Sequence, residues 1–223
     1  MTENQHPDLD WSGNVPVARR FDDPYFSLAD GHGETRHVFL AGNALPERFC
    51  DGFHIAELGF GTGLNLFTAL EAWRQAGVQG VLRFTTFERF PMRVGDMARA
   101  LSVYPGLKEL AGPVLDALAE NGRHVRTADL ELSVVMGDAR ETVKAWTGRA
   151  DAWFLDGFSP AKNPEMWEPE LLAEVARHTA PGGTAATYSA AGHVRRSLEV
   201  AGFEVERHAG FGRKRHMTVA RLA

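Results

Sequence analysis

Residues 57–63 read Glu-Leu-Gly-Phe-Gly-Thr-Gly. They lie between an apolar run, Phe53–Leu58, and a segment, Leu64–Gln75, with helical apolar spacing at Leu66, Phe67, Leu70 and Trp73. A strand that passes through a glycine-rich turn into a helix opens a βαβ unit, which commits the chain to a parallel sheet covered by helices. Glycines at such a turn let the backbone bend tightly and let another group approach it closely. The helix beyond presents N–H groups that have no partner within the helix.

The remainder of the chain continues the alternation. Leu82–Phe87, Leu130–Met136, Ala150–Leu155 and Thr184–Tyr188 read as strands, and residues 107–120, Pro169–Thr179 and His193–Ala201 as helices. Pro91 suits the first turn of one more helix. His124–Thr127 is placed to pair with Leu130–Met136 as a hairpin, and Pro181-Gly182-Gly183 reads as a turn. Phe203–His208 and His216–Leu222 are joined by a short connection, so they are expected to be antiparallel. Near the N-terminus, Asp30-Gly31-His32-Gly33 is a turn signal between Tyr25–Leu28 and Thr35–Leu40, which predicts a hairpin. Residues 1–20 are polar and unpatterned and read as a flexible arm. The expected organisation is a single α/β domain over residues 21–223, with a mainly parallel sheet, an antiparallel last strand and an N-terminal hairpin extension at about 21–50.

Bulk properties narrow the function. Lys and Arg number 24 against 29 Asp and Glu, a net charge of −5, which argues against a general polyanion binder. Cys50 is the only cysteine, so no internal disulfide can form. The N-terminus lacks a signal-peptide pattern and no apolar run approaches membrane-spanning length, so a cytoplasmic protein is expected. The nine histidines show no metal-ligand spacing, and no metal is expected. Trp73, Trp146, Trp153 and Trp167 read as core residues rather than platforms for a base.

Chemistry concentrates where strands end. Ligands of open parallel sheets bind outside the carboxyl ends of the strands, and four acids belong there: Glu57, Glu88, Asp138 and Asp156. Leu64 stands where a dinucleotide fingerprint, G-x-G-x-x-G, wants its third glycine, which disfavours a nicotinamide oxidoreductase. Glu88 is placed to accept hydrogen bonds from a ribose, or it is a plain surface acid. Asp138, in Gly137-Asp138-Ala139, is placed either to accept from an adenine amine or to cap the helix that follows. Asp156 ends a buried strand and leads into Gly-Phe-Ser-Pro-Ala-Lys-Asn-Pro, far more chemistry than a connector needs.

The loop ELGFGTG resembles the nucleoside-binding loop of Rossmann-like, class I S-adenosylmethionine-dependent methyltransferases. Taken with YFSLADGHGETRHVFLAGNALPERF, ELGFGTGLN, MGDARET, DAWFLDGFSPAKNPEMW and GFGRKRHM, the chain closely resembles the tRNA 5-(aminomethyl)-2-thiouridine methyltransferase family over about residues 22–222. That family occurs alone (MnmD) or as the N-terminal half of the bifunctional MnmC enzyme. The resemblance implies S-adenosyl-L-methionine as cofactor, held by Glu57, Gly59, Phe60, Gly61, Thr62, Gly63, Asn65, Glu88, Gly137, Asp138 and Ala139. It implies tRNA as partner, with methylation of the 5-aminomethyl group of the wobble (2-thio)uridine to give 5-methylaminomethyl-2-thiouridine.

Asp156 would be the catalytic residue, orienting the amine's hydrogens and taking or relaying a proton, or else it caps the next turn. Phe158, Ser159, Pro160, Lys162, Asn163 and the basic cluster Arg213, Lys214 and Arg215 would meet substrate, with Arg195 and Arg196 extending the patch. Lys162 and Asn163 also read as a solvated loop, and the basic cluster as a charged hairpin tip. Asn43 and Arg48, part of the family's N-terminal signature, are expected near cofactor or target. A flavin oxidase half is not expected in this chain, and a monomer is. The competing readings are a small-molecule amine N-methyltransferase on the same fold, and a protein that binds cofactor or tRNA without turnover.

Overall fold

The computed structural model describes residues 6–223. Its main element is an eight-stranded sheet. The parallel strands are β4 (His54–Leu58), β5 (Leu82–Glu88), β7 (Leu130–Met136), β8 (Ala150–Leu155) and β9 (Thr179–Thr187). β6 (His124–Arg126) pairs antiparallel with β7 at one edge. β11 (His216–Leu222) and β10 (Phe203–Ala209) close the other edge, antiparallel as expected. The spatial order is β10-β11-β9-β8-β4-β5-β7-β6. The chain therefore builds outward from β4 through β5 and β7, then returns to the other side of β4 with β8. At this switch point the loops after β4 and β8 diverge and leave a crevice.

Helices cover both faces. α2 (Leu64–Gln75), α3 (Val94–Leu101) and α4 (Pro105–Asn121) belong to one buried cluster, built on Phe67, Leu70, Trp73, Phe84 and Phe154. α5 (Ala139–Ala145), α6 (Pro169–Arg177) and α7 (Gly192–Val200) cover the other face, with Phe87, Trp153, Trp167 and Leu172 at its centre. β8 supplies both clusters, because its alternate side chains Phe154 and Trp153 point to opposite faces. Its unbroken apolar run is the signature of a strand buried on both sides. Trp73, Trp153 and Trp167 are buried, and Trp146 packs against Phe87, Trp153 and His178. No helix of the described residues is long and apolar enough to cross a membrane.

The N-terminal third departs from the sequence reading. Much of the expected arm, 1–20, is ordered structure: β1 (Leu9–Ser12) and β2 (Val15–Ala18) form a hairpin across Gly13-Asn14, extended by β3 (Asp23–Pro24) into a small antiparallel sheet. Residues 1–5 of that arm lie outside the described residues. A hairpin exists, but not at 25–40. There Asp30 caps α1 (Gly31–Thr35) by accepting from Gly33 N, and the helix continues as a π turn, Arg36–Leu40, and a 3₁₀ turn, Ala41–Asn43. The expected turn Asp30-Gly31-His32-Gly33 is a capped helix start, since an aspartate before a helix satisfies its free N–H groups. Pro91 lies outside the helix it was expected to open, which begins at Val94. Pro181-Gly182-Gly183 does not interrupt β9; the strand absorbs it with a register shift opposite Ala150 and Ala152.

Asn43 and Arg48 are not near the cleft. Asn43 is fully buried; its amide donates to the carbonyls of Phe39 (2.8 Å) and Trp153 (3.4 Å) and accepts from Thr184 Oγ1 (2.6 Å). Arg48 donates to Asn43 O, Thr184 Oγ1 and Asp151 O, at 3.0, 2.6 and 3.0 Å. The pair ties the 36–48 segment to β8 and β9, so its role is to hold the fold. Replacing a buried, fully bonded amide leaves its partners unsatisfied. Asn43→Ala is therefore expected to lose about 2–3 kcal/mol in urea unfolding. A loss below about 0.5 kcal/mol, typical of a surface site, would remove this role.

Candidate active site

A cleft of about 1400 Å³ opens along the carboxyl edge of the sheet, over the switch point. A drug-sized ligand site holds roughly 300–1,000 Å³, so this one has room for two reactants. Its floor is the glycine turn. Gly59, Gly61 and Gly63 all have positive φ, at +87°, +51° and +77°. At Gly59 a methyl group would also sit 2.5 Å from the carbonyl oxygen of Asp156, and at Gly61 one would meet the Tyr25 ring at 2.9 Å. Only glycine combines that backbone with those approaches. Asp156 and the glycine turn are thus locked together at the crevice.

Beneath the turn lies a buried polar chain. Asn65, on the first turn of α2, donates from Nδ2 to both Glu57 Oε1 (2.9 Å) and Asp156 Oδ2 (2.6 Å). Its Oδ1 accepts from Thr35 Oγ1 (2.9 Å), and Glu57 Oε2 accepts from Thr86 Oγ1 (2.8 Å). Glu57 is fully buried and does not reach the cleft wall, which corrects its expected place beside a ligand. Burial, and then the nearby Asp156 charge, push its carboxyl well above the usual range. Asp156 does line the cleft, and burial raises it to about 7 against the bond from Asn65.

Glu88 and Asp138 also line the cleft, but both are already bonded. Glu88 Oε2 accepts from the N–H groups of Phe60 (2.9 Å) and Gly61 (3.1 Å), and Oε1 from Phe90 N (2.6 Å). Glu88 thus holds the glycine turn in shape, which neither sequence reading anticipated. Asp138 caps α5 through Arg140 N and also binds the side chains of Arg140 and Arg89. These four donors saturate its carboxylate, so the capping role is realised and an adenine amine would have to displace one of them.

Of the other expected residues, Gly59, Phe60, Gly61, Thr62, Asn65, Gly137 and Ala139 line the cleft, as do Phe158, Ser159, Lys162, Asn163, Arg213 and Lys214. Gly63, Pro160 and Arg215 do not. Gly63 is instead the cap of α2 and packs towards Phe67 and Met97. The loop after β8 is pinned from the N-terminal sheet: Ser159 N donates to Asp23 Oδ2 (3.0 Å), and Lys162 pairs with Asp23 (3.4 Å) and donates to Asp22 O. Phe158 stacks on Phe21 at 4.7 Å and meets the Tyr25 edge at 5.1 Å.

Several cleft residues were missed in the sequence. Phe21, Asp23, Tyr25 and Glu34 fall in segments read as a hairpin or its flanks. Tyr188 follows β9 as Asp156 follows β8, so the strand-end rule applied one strand further would have found it. Its hydroxyl donates to Gly157 O (2.6 Å). Glu34 pairs with Lys214 Nζ at 2.7 Å, and that ammonium lies 4.2 Å over the Tyr188 ring.

The raised Asp156 has a consequence for stability. Between the ordinary aspartate value of 3.8 and its own value of about 7, the folded chain holds a proton that the unfolded chain has lost. Its stabilising contribution is therefore complete below 3.8 and is lost as pH rises through about 7. Above that, the ionised side chain costs on the order of a few kcal/mol. Asp156→Asn, which cannot ionise, is expected to melt several degrees above the parent at pH 8, a gain that shrinks towards pH 4. Equal melting temperatures at pH 8 would mean that burial does not strain this carboxyl.

The family model for S-adenosyl-L-methionine-dependent methyltransferases matches residues 107–223. The bifunctional protein MnmC of tRNA 5-methylaminomethyl-2-thiouridine biosynthesis from Pseudomonas aeruginosa is 45% identical, covering 97% of this chain and 35% of that protein. The protein of the same name from Caulobacter vibrioides is 45% identical, over 96% of this chain and 38% of its own. The chain thus spans about a third of the length of these relatives. Among solved structures, MNMC2 from Aquifex aeolicus superposes with a TM-score of 0.78 at 28% identity, covering 99% of this chain and 72% of that one. A precorrin-6y C5,15-methyltransferase from Geobacter metallireducens, 14% identical with a TM-score of 0.50 over 94% of this chain and 93% of its own, shares the fold. With a glycine turn, a strand-end cleft and a family model that covers just over half its length, the chain belongs to the S-adenosyl-L-methionine-dependent methyltransferases.

Proposed function

We propose that the chain methylates the 5-aminomethyl group of the wobble (2-thio)uridine in tRNA, giving the 5-methylaminomethyl product. The observation that carries this reading is Asp156: a carboxyl raised to about 7, on a cleft wall that the aromatic Phe158 also lines. The relatives named for tRNA 5-methylaminomethyl-2-thiouridine biosynthesis, aligned over nearly the whole of this chain, point to the same substrate.

The site fits S-adenosyl-L-methionine. The glycine turn leaves backbone exposed where side chains would fill the floor, and Glu88 lies beside it with one acceptor site, on Oε1, still available for a ribose hydroxyl. Thr62, Asn65, Gly137 and Ala139 complete the wall on that side. When bound, this cofactor supplies a methyl group on a sulfonium, which is electrophilic without further activation.

The protein's task is therefore to present a neutral amine. An alkylammonium has a reference pKa of about 10.4, and only its deprotonated form has the lone pair that attacks. Asp156 takes that proton. Against an ordinary aspartate the transfer is uphill by roughly 6 pKa units, and against Asp156 by about 3, a difference of about 4 kcal/mol. Asn65 fixes the orientation by holding Oδ2, which leaves Oδ1 for the amine. Phe158, stacked on Phe21 and edged by Tyr25, forms an apolar wall that depresses the ammonium pKa further and favours a planar base. Bond order balances: one N–C bond replaces one S–C bond, and the proton released from nitrogen goes to Asp156.

The decisive assay mixes the protein with labelled S-adenosyl-L-methionine and tRNA that carries the aminomethyl group, then resolves the digested nucleosides by mass. The methylaminomethyl nucleoside is expected, with kcat/KM rising with pH through an inflection near 7 that reports Asp156. Asp156→Asn should lose about 10²–10⁴-fold in turnover while S-adenosyl-L-methionine still binds. A product formed equally well by that variant would remove Asp156 from the chemistry. Methylation of a free small amine with the tRNA left untouched would overturn the substrate.

A further inference from the structure

Glu34 is an acid of the cleft wall that the reaction described so far does not use. Its side chain is only 14% exposed, and its single cationic partner among the described residues is Lys214, on the connection between β10 and β11. Residues 212–215 of that connection are exposed, so this partner comes from the surface and is removable. The ammonium of Lys214 is held by two groups at once, the Glu34 carboxylate at 2.7 Å and the face of Tyr188 at 4.2 Å. A carboxylate and an aromatic face together are the usual means of holding an ammonium.

Tyr188 is fixed for that purpose. Its hydroxyl is tied to Gly157 O, the residue after Asp156. β8 and β9 run parallel with Phe154 opposite Ala186, so Asp156 and Tyr188 lie side by side two residues further along their strands. Side chains at matching positions of neighbouring strands point to the same side. The Lys214 ammonium therefore sits at the same strand ends as the proposed proton acceptor.

We infer that Glu34 and the face of Tyr188 form the recognition site for the substrate's ammonium, and that Lys214 is a tethered occupant which the substrate displaces. The inference rests on the proposed amine substrate and deepens it. The two acids then divide the work. Glu34 attracts and holds the cation, and Asp156, next to it, removes the proton that makes it a nucleophile. The electrostatic coupling agrees, since the charge of Glu34 raises Asp156 and that of Lys214 lowers it. Displacing Lys214 removes the positive charge that lowers Asp156, while the Glu34 charge that raises it stays in place.

The rival account is that Glu34 serves only to position Lys214 against RNA phosphate. The two are separated in a Lys214→Ala background. Binding is measured for two tRNAs, one carrying the aminomethyl group and one with plain uridine at the same position, each with S-adenosylhomocysteine present. Lys214→Ala is expected to prefer the amine-bearing tRNA, and adding Glu34→Gln should cut that preference by about tenfold, the worth of one ammonium–carboxylate contact. Tyr188→Leu in the same background should cut it severalfold, whereas Tyr188→Phe, which keeps the ring, should retain most of it. If Glu34→Gln leaves the preference unchanged once Lys214 is gone, the ammonium site is refuted. Wild-type turnover on the same tRNA is read in parallel. Its failure would sink the substrate reading, whereas turnover with no effect of Glu34→Gln would sink only this inference.

Discussion

The amide of Asn65 is the joint on which the site depends. It donates to Glu57 at the end of β4 and to Asp156 after β8, and accepts from Thr35 at the end of α1. Through Glu57 the chain reaches Thr86 on β5. One buried side chain therefore fixes the relative positions of three strands and two helices at the switch point. The geometry also fixes the amide itself. With Thr35 donating to Oδ1, both N–H groups are committed to carboxylates, so its orientation has no alternative that leaves the bonds intact. The hydrogen bonds in turn make it tolerable for two acids to be buried together, each pushed upward by desolvation.

That concentration of acids gives sense to a net charge of −5 on a chain read as acting on an anionic partner. Glu57, Glu88, Asp156 and Glu34 are gathered in or under one cleft, where the reactants proposed for it, a sulfonium and an ammonium, are cations. The acidic groups are thus concentrated where the reacting atoms are proposed to meet. Positive charge reaches the same cleft from Arg213, Lys214 and Lys162.

The sheet was legible in the sequence because its signals are continuous. Ala150–Leu155 and Leu64–Gln75 appear in the structure with the bounds their apolar patterns predict, since a strand buried on both faces and a helix with one apolar stripe each leave an unambiguous trace. Strand-end reasoning placed Glu88, Asp138 and Asp156 on the cleft. The N-terminal segment was misread for a physical reason. Asp30-Gly31-His32-Gly33 has the composition of a turn and of a helix cap alike, and only the tertiary bonds of Thr35 to Asn65 and of Gly31 N to Tyr104 decide between them. The true hairpin carried its own mark, Gly13-Asn14 between two short runs, but strands of four residues are too brief for alternation to be read. Roles were harder still. Asn43 and Arg48 are bonded into the fold, and Glu88 is spent partly on the glycine turn, because hydrogen-bond partners cannot be read from spacing.

The misread segment is also what turns a common fold into a particular site. β4, β5, β7, β8 and β9 supply the crevice and its acids, as any sheet of this order would. Phe21, Asp23, Tyr25 and Glu34 come from the N-terminal segment, and each lies on the side of the cleft proposed for the substrate: as stacking partner, as anchor for the loop after β8, as apolar edge, and as carboxylate. Specificity for the proposed amine substrate therefore rests on residues outside the parallel sheet. A fold-level likeness to other methyltransferases predicts the methyl donor, whereas the acceptor has to be argued from what residues 21–34 place opposite Asp156.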